Sequence, residues 1–271
     1  MKIVVCIKQV GVLGDEVGFT ADGRDVDPDY LDQALNEWDA CATEEALRLR
    51  ERLGRGEVVA ATCAALRPAR AGGGVTAGPP GPEVALRRCL AMGVDRAVRV
   101  DSDALDPISL ARALADAVRR ESPDLVLCGV QSSDSVQGST GTALAELLGL
   151  PRVAVVTRIE WGGPGSGPAT VHRELEGGLI DIVEVDTPAL LTVQTGINQP
   201  RYATLRAIKQ AEQKEIAVVA AGSGSDPTHG VCAYRVRRMF APPKGEGAQM
   251  LQGGPAEIAR QIADIVRERL K

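Results

Sequence analysis

Apolar positions along this chain alternate between short unbroken runs and longer interrupted ones. Ile3–Ile7 is β-branched except at Cys6, as expected of a strand buried on both faces. Asp39–Leu53 repeats Ala42, Ala46, Leu49 and Leu53 at helical spacing, with charges between them. Glu57–Cys63 is a second strand-like run. Pro82–Met92 carries Val84, Ala85, Cys89 and Leu90 on a helix that stops at Gly93. Arg96–Val100 reads as a third strand. Pro107–Arg120 is an amphipathic helix with Asp106 as its N-cap and Pro107 at its first position. Asp124–Cys128 is a fourth strand, Thr140–Leu148 a helix ended by Gly149, and Val153–Ile159 strand again. This order predicts an α/β fold, a Rossmann-like and mostly parallel sheet with helices on both faces. Ligands in such sheets sit at the carboxyl ends of strands, where the strand order reverses.

The pattern changes after residue 160. Gly162–Pro168 is a turn between strands, and Thr170–Glu174 and Leu179–Val185 flank Glu176-Gly177-Gly178 as a β-hairpin extension. Ala189–Val193 is one more strand. Asn198–Lys214 is polar and irregular before it turns helical. Ala221–Pro227 and Ala241–Gly254 read as linkers. Pro255–Leu270 repeats Ile258, Ile262, Ile265 and Val266 at helical spacing, so the chain ends in an arm whose helix needs a surface to pack on. Gly72–Pro82 reads as a mobile loop inserted after the second strand.

Composition narrows the function classes. The 271 residues carry 31 basic and 36 acidic side chains, a net charge of −5, which argues against a nucleic-acid partner. No run of about 18 apolar residues is present, so no membrane insertion is expected. The amino end enters a strand without a leader pattern, which points to the cytoplasm. Six cysteines (Cys6, Cys41, Cys63, Cys89, Cys128, Cys232) form no C-x-x-C pair and read as structural thiols. Two histidines, His172 and His229, lack ligand spacing, so no metal site is expected.

The best candidate for chemistry is Gly129–Gly141, GVQSSDSVQGSTG. A Gly- and Ser-rich loop from strand to helix offers backbone N–H groups and a helix N-terminus to an anion. Gly138 and Gly141 would allow close backbone approach, and Ser139 and Thr140 would add hydroxyls. A capped helix start without a ligand is the alternative. Asn36-Glu37-Trp38-Asp39 either caps its helix through Asn36 or Asp39 or closes over a nucleotide at the same sheet edge. Cys6 and Cys63 end the first two strands beside that crevice. No catalytic triad or paired carboxylates emerge, so the chain reads as a nucleotide-holding scaffold and not a self-contained catalyst.

Several segments in order resemble the β-subunit of the electron transfer flavoproteins. They are Val4–Val10, Asn36 with Glu44-Glu45-Ala46, Ala91–Asp95, the Gly129–Gly141 loop, Arg173-Glu174 with Gly177-Gly178, and above all Asn198-Gln199-Pro200-Arg201-Tyr202-Ala203-Thr204-Leu205. The likeness covers roughly residues 1–215. It implies an electron carrier, one half of a heterodimer whose α-subunit holds a redox-active FAD at the shared interface. Electrons would come from flavin-dependent dehydrogenases, such as acyl-CoA dehydrogenases, and pass to a membrane quinone oxidoreductase. It implies a structural AMP in this subunit, against Cys6, Asn36, Glu37, Trp38, Asp39, Cys63, Gly129, Gln131, Ser132, Asp134, Gln137, Gly138, Ser139 and Thr140. A second FAD there, with NADH as donor, is the electron-bifurcating alternative. Leu205 matches the hydrophobic anchor of a recognition loop, with Arg201, Tyr202 and Lys209 beside it as docking residues; a leucine packed inward is the alternative. On this view residues 1–220 are a nucleotide-binding α/β domain that includes the recognition segment 194–214. Residues 221–271 are a linker and a helix that pack on the α-subunit. The segment after strand one, Gly11-Val12-Leu13-Gly14, departs from the family in lacking an aromatic ring.

Overall fold

The computed structural model describes residues 1–64, 83–102, 106–220, 236–243, 245 and 247–270. Strand β1 (Lys2–Cys6) leads to a two-stranded antiparallel ribbon, β2 (Gln9–Leu13) and β3 (Leu31–Leu35), and then to α1 (Glu37–Leu53). The alternation continues with β4 (Glu57–Ala64), α2 (Glu83–Met92), β5 (Arg96–Asp101), α3 (Pro107–Glu121), β6 (Leu125–Gly129) and α4 (Thr140–Leu148). Then come β7 (Arg152–Glu160), β8 (Ala169–Glu174), β9 (Ile180–Val185) and β10 (Ala189–Val193). α5 (Leu205–Gln213), β11 (Ile216–Ala220) and α6 (Pro255–Arg269) complete the described elements.

The main sheet runs β11-β5-β4-β1-β6-β10-β7-β8-β9. It is parallel from β11 to β7, and β7, β8 and β9 are antiparallel. The alternation of side chains along β1 explains why both faces are covered. Ile3, Val5 and Ile7 join the layer under α1 and α2, while Val4 and Cys6 join that under α3 and α4. Each such side chain, fully withdrawn from water, contributes about 1.5–3 kcal/mol. Asp106 caps α3 as its position predicts, accepting from the N–H groups of Ile108 and Ser109.

Three strands lie where the hydrophobic pattern assigns no element. In the ribbon, Val10 is buried but Val12 and Leu13 are exposed, and β3 (LDQAL) has no β-branched residue. Pairing, not propensity, makes these strands. β11 extends the sheet beside β5 as an edge strand. The helix expected from Asp39 begins two residues earlier, at Glu37. The five described cysteines are free. Cys232, His229, Gly72–Pro82 and Ala221–Pro227 lie outside the described residues. Among the described residues, no helix is long and apolar enough to cross a membrane, and no cluster of three His, Cys, Asp or Glu could hold a metal.

Helix α6 has no buried residue, and Ile262, Ile265, Val266 and Leu270 are exposed. The arm before it touches the body where the Met239 N–H donates to the Gly23 carbonyl (2.8 Å). So little burial predicts that deleting residues 241–271 from the isolated chain shifts its Tm by no more than about 1 °C, under the roughly 2–4 °C that one kcal/mol moves a domain of this size. Thermal unfolding followed by circular dichroism checks this; a large fall would mean that the arm stabilises the body.

Candidate functional site

The strand order reverses between β1 and β6. From β1 the sheet grows through β4 and β5 on one side, and from β6 through β10 and β7 on the other. The carboxyl ends of these two strands are therefore the expected ligand crevice. Cys6 and Cys128 are register partners there, and Cys63 is the last residue but one of the neighbouring β4. Burial pushes the Cys6 thiol up to about 12, with Asp39 adding to the rise, so it stays neutral and unreactive.

The turn before α1 is built into this crevice. Asn36 takes the N-cap position of α1, but its side chain makes no capping bond. The Asn36 side chain spans to the loop after β6: its amide donates to the Gln131 carbonyl (2.8 Å) and its oxygen accepts from the Ser133 N–H (3.3 Å). Asp39 is 5% exposed. One of its oxygens accepts from the Lys8 N–H (2.8 Å) and the other from the Gly129 N–H (2.7 Å). Burial pushes its carboxyl up to about 6, against the pull of these donors. At neutral pH it is a buried carboxylate held by two backbone donors.

Lys8, which the sequence reading passed over, fixes the loop from the other side. Its ammonium donates to Ser132 Oγ (3.1 Å), Asp134 Oδ1 (2.6 Å) and Ser135 Oγ (3.2 Å). Burial opposes ionisation of Asp134, but the hydrogen bonds from Lys8 and Ser132 hold its pKa below the usual carboxylate value. The charge of Asp134 is thus balanced on the spot and does not repel an anion at the loop. The signal for Lys8 was topological: it is the second residue past β1, at the point where the strand order reverses.

Beyond Asp134 the loop is exposed through Ser139. Val136 sits at φ 51, a conformation costly for a β-branched residue. Gln137, Gly138, Ser139 and Thr140 lead into α4, whose start has no side-chain cap. Its first-turn N–H groups point out of the helix without an internal acceptor, which suits a phosphate. The glycines divide by role. Gly138 lies at φ +60, and a Cβ there would make only ordinary contact with the Val130 carbonyl oxygen at 3.5 Å. At Gly141, a Cβ would meet Cys128 Sγ at 2.6 Å and Thr192 Cγ2 at 2.9 Å. Gly141 therefore lets α4 pack on the sheet, a role separate from any approach of a ligand. Gly129 likewise makes room for α1, since its Cβ would stand 2.5 Å from Trp38 Cβ.

The segment from Gln194 to Arg201 lies along α1. The Trp38 indole N–H donates to Gln194 Oε1 (2.8 Å). Asn198 Nδ2 donates to the Cys41 carbonyl (3.0 Å) and Glu45 Oε2 (3.1 Å). Arg201 reaches Glu44 and Glu51. Thr204 then caps α5 by accepting from the Ala207 N–H (3.2 Å). Tyr202, between these anchors, is 85% exposed, and Leu205, the first residue of α5, is 80% exposed. In this chain Leu205 does not pack inward. Arg206 and Lys209 are exposed beside it. The sequence reading missed Gln194, Glu45 and Glu51 as partners of this segment.

Two substitutions test the geometry. Gly141→Val overpacks the α4 contact and should cost about 1–3 kcal/mol, whereas Gly138→Ala should cost about 1–2 kcal/mol from its left-handed backbone alone; urea unfolding measures both. Asp39→Asn turns an amide N–H toward a backbone N–H and should cost about 1–3 kcal/mol. Asp39 binds its proton more tightly folded than unfolded, so its contribution to stability is largest below its unfolded pKa of about 3.9 and is lost as pH rises through about 6. The deficit of Asp39→Asn should therefore widen by about 1 kcal/mol on going from about pH 7 to about pH 5. Denaturant titrations at both pH values check this, and a gap that narrows contradicts the raised pKa.

The chain was compared with known proteins. A model of the electron transfer flavoprotein domain matches residues 26–223. The chain is 42% identical to an electron transfer flavoprotein subunit beta of Methylophilus methylotrophus, over 99% of this chain and 98% of that one. It is 30% identical to the subunit beta of Syntrophomonas wolfei over 100% and 98% of the two chains. It is 31% identical to that of Mus musculus over 87% and 88%. A family match over most of the chain, joined to full-length similarity, establishes that this chain belongs to the electron transfer flavoproteins, as a β-subunit.

Proposed function

We propose that this chain is the half of a heterodimeric electron carrier that holds a structural AMP and docks the electron donor. FAD, bound at the interface with the α-subunit, supplies the redox chemistry. The observation that carries the reading is the pair Tyr202 and Leu205, exposed where the chain passes from the Arg201 bond to α1 into the Thr204-capped start of α5. An apolar plug with Arg206 and Lys209 beside it fits a pocket with an acidic surround on a flavin dehydrogenase, such as an acyl-CoA dehydrogenase. The membrane quinone oxidoreductase is the proposed acceptor of the electrons.

Several features support a nucleotide at the β1/β6 crevice. The uncapped start of α4 offers N–H donors to a phosphate. The Lys8–Asp134 pair leaves the loop without net charge. Asn36, Lys8 and Asp39 hold the loop in place without a ligand, so little ordering cost remains on binding. Cys6, Cys63, Gln131, Glu37 and Trp38 are the further nucleotide contacts that the family resemblance implies. The exposed apolar stripe of α6 is the proposed seat on the α-subunit.

Nucleotide released from the purified heterodimer tests the cofactor assignment. One FAD and one AMP per heterodimer is the expected result. Two FAD would support the bifurcating alternative, and AMP without flavin would remove the electron-carrier reading. Leu205→Ala should weaken the complex with the donor dehydrogenase by roughly 5- to 150-fold, or about 1–3 kcal/mol. Its flavin content should equal that of the unaltered protein. Stopped-flow reduction by an acyl-CoA dehydrogenase at limiting protein concentration checks this, and an unchanged rate would remove Leu205 as the anchor.

A further inference from the structure

Arg201 lies within the docking loop, yet its charge is spent inside the chain. Its Nε and Nη2 donate to Glu44 at 2.8 and 3.1 Å, and its Nη1 and Nη2 donate to Glu51 at 2.6 and 3.1 Å. Those bonds commit four of the five guanidinium N–H groups. The Arg201 backbone N–H adds a bond to Glu44 (3.2 Å). The Glu44 side chain is only 4% exposed, and it is gripped from the other side by Arg48 (2.9 Å). Arg48 in turn reaches the Gln199 carbonyl (3.4 Å).

Packing alone does not hold this loop. Pro200, Arg201 and Tyr202 border a cavity of about 480 Å³ that Leu35, Ala40, Val84 and Met92 also line. A loop that borders open space keeps one shape only if directional bonds fix it. The planar guanidinium, bidentate to two carboxylates one above the other on α1, supplies such bonds. Arg206 and Lys209 are exposed, and neither forms an ion pair among the described residues.

We propose that Arg201 is a positioning residue for docking: an internal strut between the loop and Glu44 and Glu51 that presents Tyr202 and Leu205 ready-made, leaving charge contact with the partner to Arg206 and Lys209. The inference rests on the docking function proposed above for this loop. A strut and a partner-facing cation differ in the effect of Glu51. If Arg201 met the partner, neutralising Glu51 would free its guanidinium and strengthen docking. If Arg201 is a strut, neutralising Glu51 weakens docking as loss of Arg201 does.

The test uses the co-expressed heterodimer with Glu51→Gln, Arg201→Gln, the double variant and Leu205→Ala. Glu51 is half exposed, so Glu51→Gln leaves the fold intact. The first readout is amide hydrogen exchange over residues 199–204, which needs no partner. We expect it to be about tenfold faster in both single variants, the mark of weakened local structure, with flavin content unaltered. The second is steady-state reduction by an acyl-CoA dehydrogenase with its acyl-CoA as electron source. We expect KM for the heterodimer to rise roughly three- to tenfold in Glu51→Gln and Arg201→Gln, with kcat retained, and the double variant to match either single one, as coupled partners do. Unchanged exchange overturns the strut. Faster exchange with KM unchanged or lowered by Glu51→Gln, while Leu205→Ala raises it, also overturns the proposal, because the strut then does not serve docking. If Leu205→Ala itself leaves KM unchanged, the docking function of the loop fails, and the exchange data still decide whether Arg201 holds it.

Discussion

The Asp39 carboxylate is the constraint on which the rest of this structure depends. Its two oxygens take the N–H groups of Lys8, just past the end of β1, and of Gly129, the last residue of β6. Two parallel strands that diverge at a reversal of strand order leave backbone donors at their ends. A single ionised group satisfies one from each side and draws the first turn of α1 between them. Gly129 has no side chain because that turn comes so close. A carboxylate at the first turn of a helix also suits the positive end of the helix dipole. Burial opposes the charge, but the two N–H donors and nearby Lys8 keep the carboxyl ionised at neutral pH.

Once the first turn of α1 is set, its other contacts follow from helical geometry. Asn36, just before the helix, meets the loop after β6. Trp38 meets Gln194 at the start of the recognition segment. Cys41, Glu44, Glu45, Arg48 and Glu51 recur at spacings of three and four along one face. That face carries Asn198, Gln199 and Arg201 in order. One rigid helix thus serves both the proposed nucleotide crevice at its amino end and the proposed docking loop along its flank. A change that shifted its amino end would move both.

The sequence made the sheet legible because its strands are buried on both faces and so read as unbroken apolar runs. It made the α4 loop legible because Gly and Ser cluster between a strand and a helix. It hid what depends on pairing across the fold. β2 and β3 have mixed polarity, and only their register with one another makes them strands. Gly138 and Gly141 look alike in sequence, and only the Cys128 and Thr192 side chains beside Gly141 separate their roles. Asp39 reads as a helix cap, because a cap and a bridge between strand ends call for the same residue at the same place. Arg201 reads as a surface cation, because its acceptors lie 150 and 157 positions away.

The two exposed apolar features of the chain differ in kind, and the difference bears on how each is used. α6 displays Ile262, Ile265, Val266 and Leu270 along a helix that gains no burial from its own chain. Such a stripe gains most from a cover that stays in place, since each return to water costs apolar surface again. Lasting interfaces of this kind are large and apolar. At the loop, only Tyr202 and Leu205 protrude, and charged side chains lie next to them. Two anchors suffice for a specific contact but bury too little for a permanent one. An electron carrier needs both kinds: a surface that keeps its own subunits together through every turnover, and a smaller one that lets each donor go. On the proposed reading, a loop held stiff from within serves the second need. Its shape costs little to fix on each encounter, so few contacts still select the partner.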